Sequence, residues 1–351
     1  MRKSRQISVG KVKIGGGVQI SVQSMCNTKT ADVSATVDQI NRLEKAGCDI
    51  IRVAVPDMDA ANAISVIKKQ INIPLVADIH FDYRLAIASA KNGADKIRIN
   101  PGNIGGRDRI REVVKACNEY SVPIRVGVNS GSLEKELLLK YGNSSRALAE
   151  SALHSCSLLT DEGFENICVS IKSSNVFKTI ETYRMVAEKC DFPLHLGVTE
   201  AGGAEMGTIK SAAAMGALLM DGIGDTIRVS LTDDPVKEVI AARNILKALD
   251  LNTQGINIIS CPTCGRTRVD LIAIAKEVEQ KLSSFKSKIT VAVMGCAVNG
   301  PGEAREADLG IACGDGEGLI FRRGEIICKV PEKELVNRLI YEIEKYTGEK
   351  I

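Results

Sequence analysis

The chain has 351 residues, 44% of them hydrophobic and 25% charged, and carries a formal net charge of +3 at pH 7. That is an ordinary globular composition with room for one large and one small domain. The near-balance of charge excludes polyanion binding by a globally basic surface, so any phosphate recognition must come from a few placed arginines and lysines.

In chain order, short Val/Ile-rich runs alternate with amphipathic stretches. The predicted strands are Val18–Ser24, Asp49–Val55, Pro74–Ile79, Lys96–Asn100, Pro123–Val128, Asn166–Ile171, Pro193–Val198 and Thr226–Leu231. Their apolar content reads as strands buried on both faces, which is typical of a parallel sheet. Between the first two lies SATVDQINRLEKAG, where Ala35, Val37, Ile40 and Leu43 repeat at helical spacing and Gly47 closes the helix. Repeated βα units of this number over residues 1–250 predict an α/β fold, a (β/α)8 TIM-type barrel. No Gly-x-Gly-x-x-Gly follows the first strand, which disfavours a dinucleotide-binding sheet.

LNTQG at 251–255 reads as a linker, and residues 256–351 as a small α+β domain. In it, INIIS leads to Cys261-x-x-Cys264, and KITVAVMG leads to Cys296. ADLGIACG, GLIFRRG and EIICKV read as further strands. PEKELVNRLIYEIEKY reads as a final helix with Pro331 in its first turn.

Active sites of such barrels lie at the C-terminal ends of the strands. The polar residues there are Arg52, Asp78, His80, Arg98, Arg125, Asn129, Lys172, Glu200, Arg228 and Ser230. A buried guanidinium without a counter-charge is costly. Asp78, Glu200 and Asp225 are too few to neutralise four arginines and Lys172, so the surplus predicts an anionic ligand, best a phosphate or several. The bland alternative is a set of internal ion pairs, or arginines that snorkel to the rim. His195 also lies in a predicted strand, where a lone histidine is more often structural. His80 stands two residues from Asp78, on the same strand face.

The chain has 11 cysteines and no secretory leader pattern after its basic start, so a disulfide framework is not expected and the chain reads as cytoplasmic. Cys48, Cys117, Cys156 and Cys168 sit in apolar runs and read as core. Cys261, Cys264 and Cys296 sit in polar, turn-rich surroundings and read as a metal set. Three soft thiolates select zinc, copper(I) or iron–sulfur. A structural zinc site wants a fourth Cys or His. Cys313 and Cys328 lie in apolar strand patterns, which leaves Glu303 as the best fourth donor. That set suits a [4Fe–4S] cluster with one exchangeable iron better than zinc, and zinc stays open. Aromatics make up 3% of the chain, which argues against nucleic-acid stacking, and no window reaches the ~20 apolar residues of a membrane span.

VQSM, ADIHF, RINPGNIG, RVGVNSGSLEK, LHLGVTEAGG, GIGDTIRVSLTDDP, CPTCGR and VMGCAVNGPGEAREADLGIACG together resemble the 4-hydroxy-3-methylbut-2-enyl diphosphate synthases of the non-mevalonate isoprenoid pathway, in their two-domain bacterial form. The resemblance covers essentially the whole chain. It implies reductive ring opening and dehydration of 2-C-methylerythritol 2,4-cyclodiphosphate, with electrons from flavodoxin or ferredoxin through a [4Fe–4S] cluster. By motif, it implies Cys261, Cys264, Cys296 and Glu303 as cluster ligands. Arg52, Arg98, Arg125, Lys172, Arg228 and Ser230 match diphosphate-holding positions, and Asp78, His80 and Asn129 match other substrate contacts. Glu200 matches an acid that works in proton transfer. The resemblance also implies a homodimer. The competing readings are a pterin-binding barrel of the dihydropteroate synthase kind and a zinc-stabilised interaction domain attached to a ligand-binding barrel.

Overall fold

The computed structural model describes residues 2–251, 255–283, 285–296 and 304–350. It divides into two compact units, Met1–Leu251 and Asn252–Ile351. Most of the predicted linker, 252–254, lies outside the described residues, as does Glu303.

The first unit opens with a hairpin, β1 (Ile7–Val9) and β2 (Val12–Ile14), turned at Gly10 with φ +53°. The sequence reading did not anticipate it. Ile7, Val9 and Ile14 pack on Ile50, Val76 and Cys168, which point inward near the N-terminal ends of the barrel strands, so the hairpin plugs that end. The barrel strands are β3 (Ser21–Met25), β4 (Ile50–Ala54), β5 (Leu75–Asp78), β6 (Lys96–Ile99), β7 (Ile124–Asn129), β8 (Ile167–Lys172), β9 (Leu194–Leu196) and β10 (Thr226–Ile227). They pair in parallel in sequence order, and β10 closes on β3.

Helices follow each strand because the sequence caps them. Asp32 accepts the Ala35 N–H to start the helix Val33–Lys45, whose Val37, Ile40 and Leu43 are buried, and Gly47 leaves it at φ +99°. Asp57, Asp82, Ser144, Asn175 and Asp234 cap later helices in the same way. The strands are buried on both faces, but the two faces differ. Outward residues such as Ile51, Val53, Ile97, Ile99, Val126 and Val169 form the core against the helices. The alternating positions, Arg52, Asp78, Lys96, Arg98, Arg125, Ser170 and His195, face the interior and are buried and polar.

The second unit is one sheet in the order β11 (Ile256–Ser260), β12 (Ile289–Met294), β13 (Leu309–Cys313), β14 (Glu317–Arg322) and β15 (Glu325–Pro331). The first three strands run parallel and the last two antiparallel. The helices Leu271–Lys281 and Leu335–Thr347 bury Leu271, Val278, Leu335 and Leu339 in its core. Pro331 ends the edge strand β15 instead of opening the last helix, and a 3-10 turn at Glu332–Glu334 separates the two. An edge strand tolerates proline because the ladder asks for no N–H on its free side.

Candidate active site

Asp78, at the end of β5, organises the barrel mouth. It is 2% exposed, and its carboxylate accepts from Arg98 Nη1 at 3.2 Å, with Arg52 Nε at 3.6 Å and His80 Nε2 at 3.4 Å. Burial raises its pKa, but Arg52, His80, Arg98 and Arg125 together win and hold it well below the ordinary carboxylate value. Arg98 also donates to the Gly127 carbonyl at 3.2 Å. A Cβ on Gly127 would stand 2.3 Å from Arg98 Nε, so that position needs a glycine for the guanidinium to lie across β7.

The remaining cations have fewer counter-charges. Arg125 donates to Gln23 Oε1 at 3.1 Å, while its Nε and Nη2 are buried without a partner. Burial and the neighbouring Arg98 pull its pKa down to about 10, which leaves it charged at neutral pH. Burial holds Arg52 well below its ordinary value, against the attraction of Asp78. Lys172, at the end of β8, has no ion pair among the described residues; burial, then Arg52, Arg98 and Arg125, push its pKa down to about 6. Arg228 reaches Glu238 Oε2 at 3.4 Å. Arg52, Lys172, His195, Arg228 and Ser230 line one cavity. The interior is thus a cage of positive charge partly offset by Asp78 and Glu238, with buried donors aimed at no protein acceptor. Such an arrangement suits an anion.

The structure gathers Arg52, Asp78, Arg98, Arg125, Lys172, Arg228 and Ser230 in this interior. Asn129 pairs in register with Lys172. His80 sits at the rim, its side chain 57% exposed. Glu200 is exposed and holds φ at +51°, a left-handed conformation uncommon outside glycine and enriched at functional positions. Sequence reasoning missed Glu238, Met25, Gln23 and Lys96. Glu238 comes from the helix Pro235–Ala248, is 5% exposed, and accepts from the Leu231 N–H at 3.0 Å and from Ser24 Oγ at 3.3 Å. Met25 Sδ lies 2.7 Å from Arg52 Nη2 and 3.7 Å from Arg228 Nη1. Lys96 is fully buried with Nζ unpartnered, and burial draws its pKa down to about 8.

In the second unit, Cys261 directly follows β11 and Cys296 lies just beyond β12, the parallel neighbour of β11, so both stand at the C-terminal end of the parallel strands. The Gly295 N–H donates to Cys261 Sγ at 3.1 Å. A Cβ on Gly295 would meet Leu271 at 2.9 Å, so glycine permits this approach. The exposed Cys264 thiol is held below its ordinary pKa by the Arg266 backbone and side chain, with Thr267 adding. Thr267 also closes the turn by accepting the Cys264 N–H at 3.1 Å. These are donors to sulfur, and they favour thiolates. Among the described residues, no His, Cys, Asp or Glu side chains converge tightly enough to hold a single metal ion. By contrast, Cys48 and Cys117 are buried, with burial pushing their thiols up to about 12, as core cysteines should be.

Residues 4–243 match the model of the GcpE TIM-barrel domain, and residues 257–345 match that of the GcpE protein C-terminal domain. The chain belongs to the GcpE family. A GcpE-family relative from Caldanaerobacter subterraneus subsp. tengcongensis, a 4-hydroxy-3-methylbut-2-en-1-yl diphosphate synthase (flavodoxin), is 61% identical over 352 residues, spanning 100% of this chain and 99% of its own. One of the same name from Geobacter sulfurreducens is 58% identical over 349 residues, 99% of each chain. The dihydropteroate synthase of Stenotrophomonas maltophilia shares the barrel with a TM-score of 0.52, at 13% identity, over 70% of this chain and 97% of that one. That likeness is one of fold alone. Among the described residues of this GcpE-family chain, no helix is long and apolar enough to cross a membrane.

Proposed function

We propose that this chain converts 2-C-methylerythritol 2,4-cyclodiphosphate to 4-hydroxy-3-methylbut-2-enyl diphosphate, taking up two electrons and one proton and releasing water. The observation that carries this reading is end-to-end identity of 61% to a synthase of that name, on a chain whose barrel interior holds unoffset positive charge. Residues 1–250 would bind the diphosphate, and residues 256–351 would carry the redox group.

Arg52, Arg98, Arg125, Lys172 and Arg228 would hold the diphosphate oxygens by charge-assisted hydrogen bonds, with Ser230 adding a hydroxyl. Asp78 keeps Arg52 and Arg98 in place and, with His80 and Asn129, faces the carbon skeleton. Opening the ring frees a phosphate oxygen and adds negative charge, so this cage stabilises the product side and the charge that develops on the way. Glu200 would pass the proton from its carboxyl oxygen to the oxygen that departs as water. The soft thiolates of Cys261, Cys264 and Cys296, with Glu303 as a displaceable fourth donor, fit a [4Fe–4S] cluster. When bound, that group supplies electrons one at a time and a Lewis-acidic iron. Flavodoxin or ferredoxin would deliver the electrons, in a cytoplasmic homodimer.

The test is anaerobic loading with iron and sulfide, followed by incubation with reduced flavodoxin and the cyclic diphosphate. The reading expects about four irons per chain and the linear diphosphate by mass spectrometry. A colourless zinc-loaded protein with no product would overturn it. Full activity in Glu303→Ala or in Glu200→Gln would remove those two assignments singly.

A further inference from the structure

His195 has no role in the account above, yet it is built into the same cavity. It sits on β9 with its side chain inward, 5% exposed, beside Arg52, Lys172 and Arg228. Its ring nitrogen Nδ1 is buried and has no partner. A histidine that merely fills a core has its ring nitrogens bonded to protein, because a buried unpaired polar atom is costly. The backbone around it is tightly held. The hydroxyl of Tyr183, on the helix Val176–Lys189, accepts the Ile171 N–H at 2.9 Å and donates to the His195 carbonyl. That fixes β9 against β8 beside Lys172.

The surroundings decide what the ring can be. Burial, then Arg125, Lys96, Arg52 and Arg228, hold its pKa well below the ordinary imidazole value. A neutral ring carries one N–H and one acceptor nitrogen. On the same rung of the barrel, Thr226 pairs with His195 on one side and with Ser21 on the other, and the hydroxyls of both are buried and unpartnered. None of these three atoms bonds another directly, so a water bridging the hydroxyls to the ring would give Nδ1 a hydrogen bond to accept. That leaves Nε2 as the protonated nitrogen and the one available to the cavity. In a cage already crowded with cations, a neutral donor adds a hydrogen bond to an anion without adding repulsion.

We infer that His195 is a diphosphate-binding residue, an uncharged Nε2–H donor whose tautomer is set, through water, by the Ser21 and Thr226 hydroxyls on its own rung. The inference rests on the diphosphate reading of the cavity. It is tested by calorimetric titration of inorganic pyrophosphate into the full chain and into His195→Gln and His195→Asn. The glutamine amide can reach the place of Nε2, whereas the asparagine amide stops near Nδ1. His195→Gln should bind within about threefold of the parent, and His195→Asn should bind roughly tenfold to a hundredfold more weakly.

A second measurement covers the case in which a variant misfolds. Nitrogen-15 spectra of the parent chain labelled at its three histidines should show one neutral Nε2–H ring whose Nε2 signal moves on adding pyrophosphate. Equal binding by His195→Asn, a charged or Nδ1–H ring, or an Nε2 signal that ignores pyrophosphate would overturn the inference while leaving the cavity reading intact. Failure of the parent to bind pyrophosphate would overturn both.

Discussion

In the barrel, Arg52, Asp78 and Arg98 are 4%, 2% and 1% exposed, and both arginines already pair with Asp78 before any ligand is present. In the second unit, Cys264 is exposed, Cys261 and Cys296 are half-buried, and no tight ligand set has formed among the described residues. The physical reason lies in what each group costs to hold ready. A guanidinium enters a protein interior only if folding supplies its counter-groups at the same time. A thiol stands at the wet end of a sheet at little cost, and a bound cluster would supply the energy that draws Cys261, Cys264 and Cys296 together. The barrel charges are therefore held ready by folding, whereas the three cysteines, on the reading proposed above, would be drawn together only by the cluster.

Four outcomes would sharpen or break that contrast, in descending size. Cys264→Ser should bring turnover to background and deplete iron while leaving binding of the cyclic diphosphate unchanged; a parallel loss of binding would mean the two sites are not separable. Asp78→Asn should lower stability by about 3–5 kcal/mol, since it strips the buried carboxylate from Arg52 and Arg98. Thermal unfolding would show this, and pyrophosphate should restore part of the loss. Glu238→Gln should raise KM roughly 30-fold, about 2 kcal/mol, by freeing Arg228, with little change in the melting temperature; an unchanged KM would show that Glu238 only packs.

The smallest effect is in protons. Lys172, with its pKa pushed down to about 6, is largely neutral at pH 7.5 in the free protein. A bound anion offsets Arg52, Arg98 and Arg125 and raises that pKa, so binding takes up protons above pH 6. Affinity should therefore rise as pH falls toward about 6 and level off below it. The cyclic diphosphate has no proton to exchange there, so calorimetry in buffers of different ionisation enthalpy reads the uptake directly. Zero uptake would contradict the depressed pKa.

Much of the barrel site was legible because strand alternation ties Arg52, Arg98, Arg125 and Arg228 to one face, and four arginines in apolar runs demand a reason. The Cys-x-x-Cys spacing stands out for a different reason, two soft donors set close together in a turn-rich stretch. Glu238 was hidden because it reaches Arg228 from a helix ten residues later, where an acid in a first turn looks like an ordinary dipole partner. Met25 and Gln23 drew no reading because their contacts to Arg52 and Arg125 depend on barrel closure, which local pattern cannot show. The hairpin at Ile7–Ile14 was missed because its strands have only three residues each.

The most direct test of the contrast is calorimetric titration of the cyclic diphosphate into metal-free full-length protein, beside the same protein loaded with iron and sulfide. A receptor preformed by folding predicts binding in both, with dissociation constants within about tenfold of each other. Binding that appears only after iron and sulfide are loaded would contradict it.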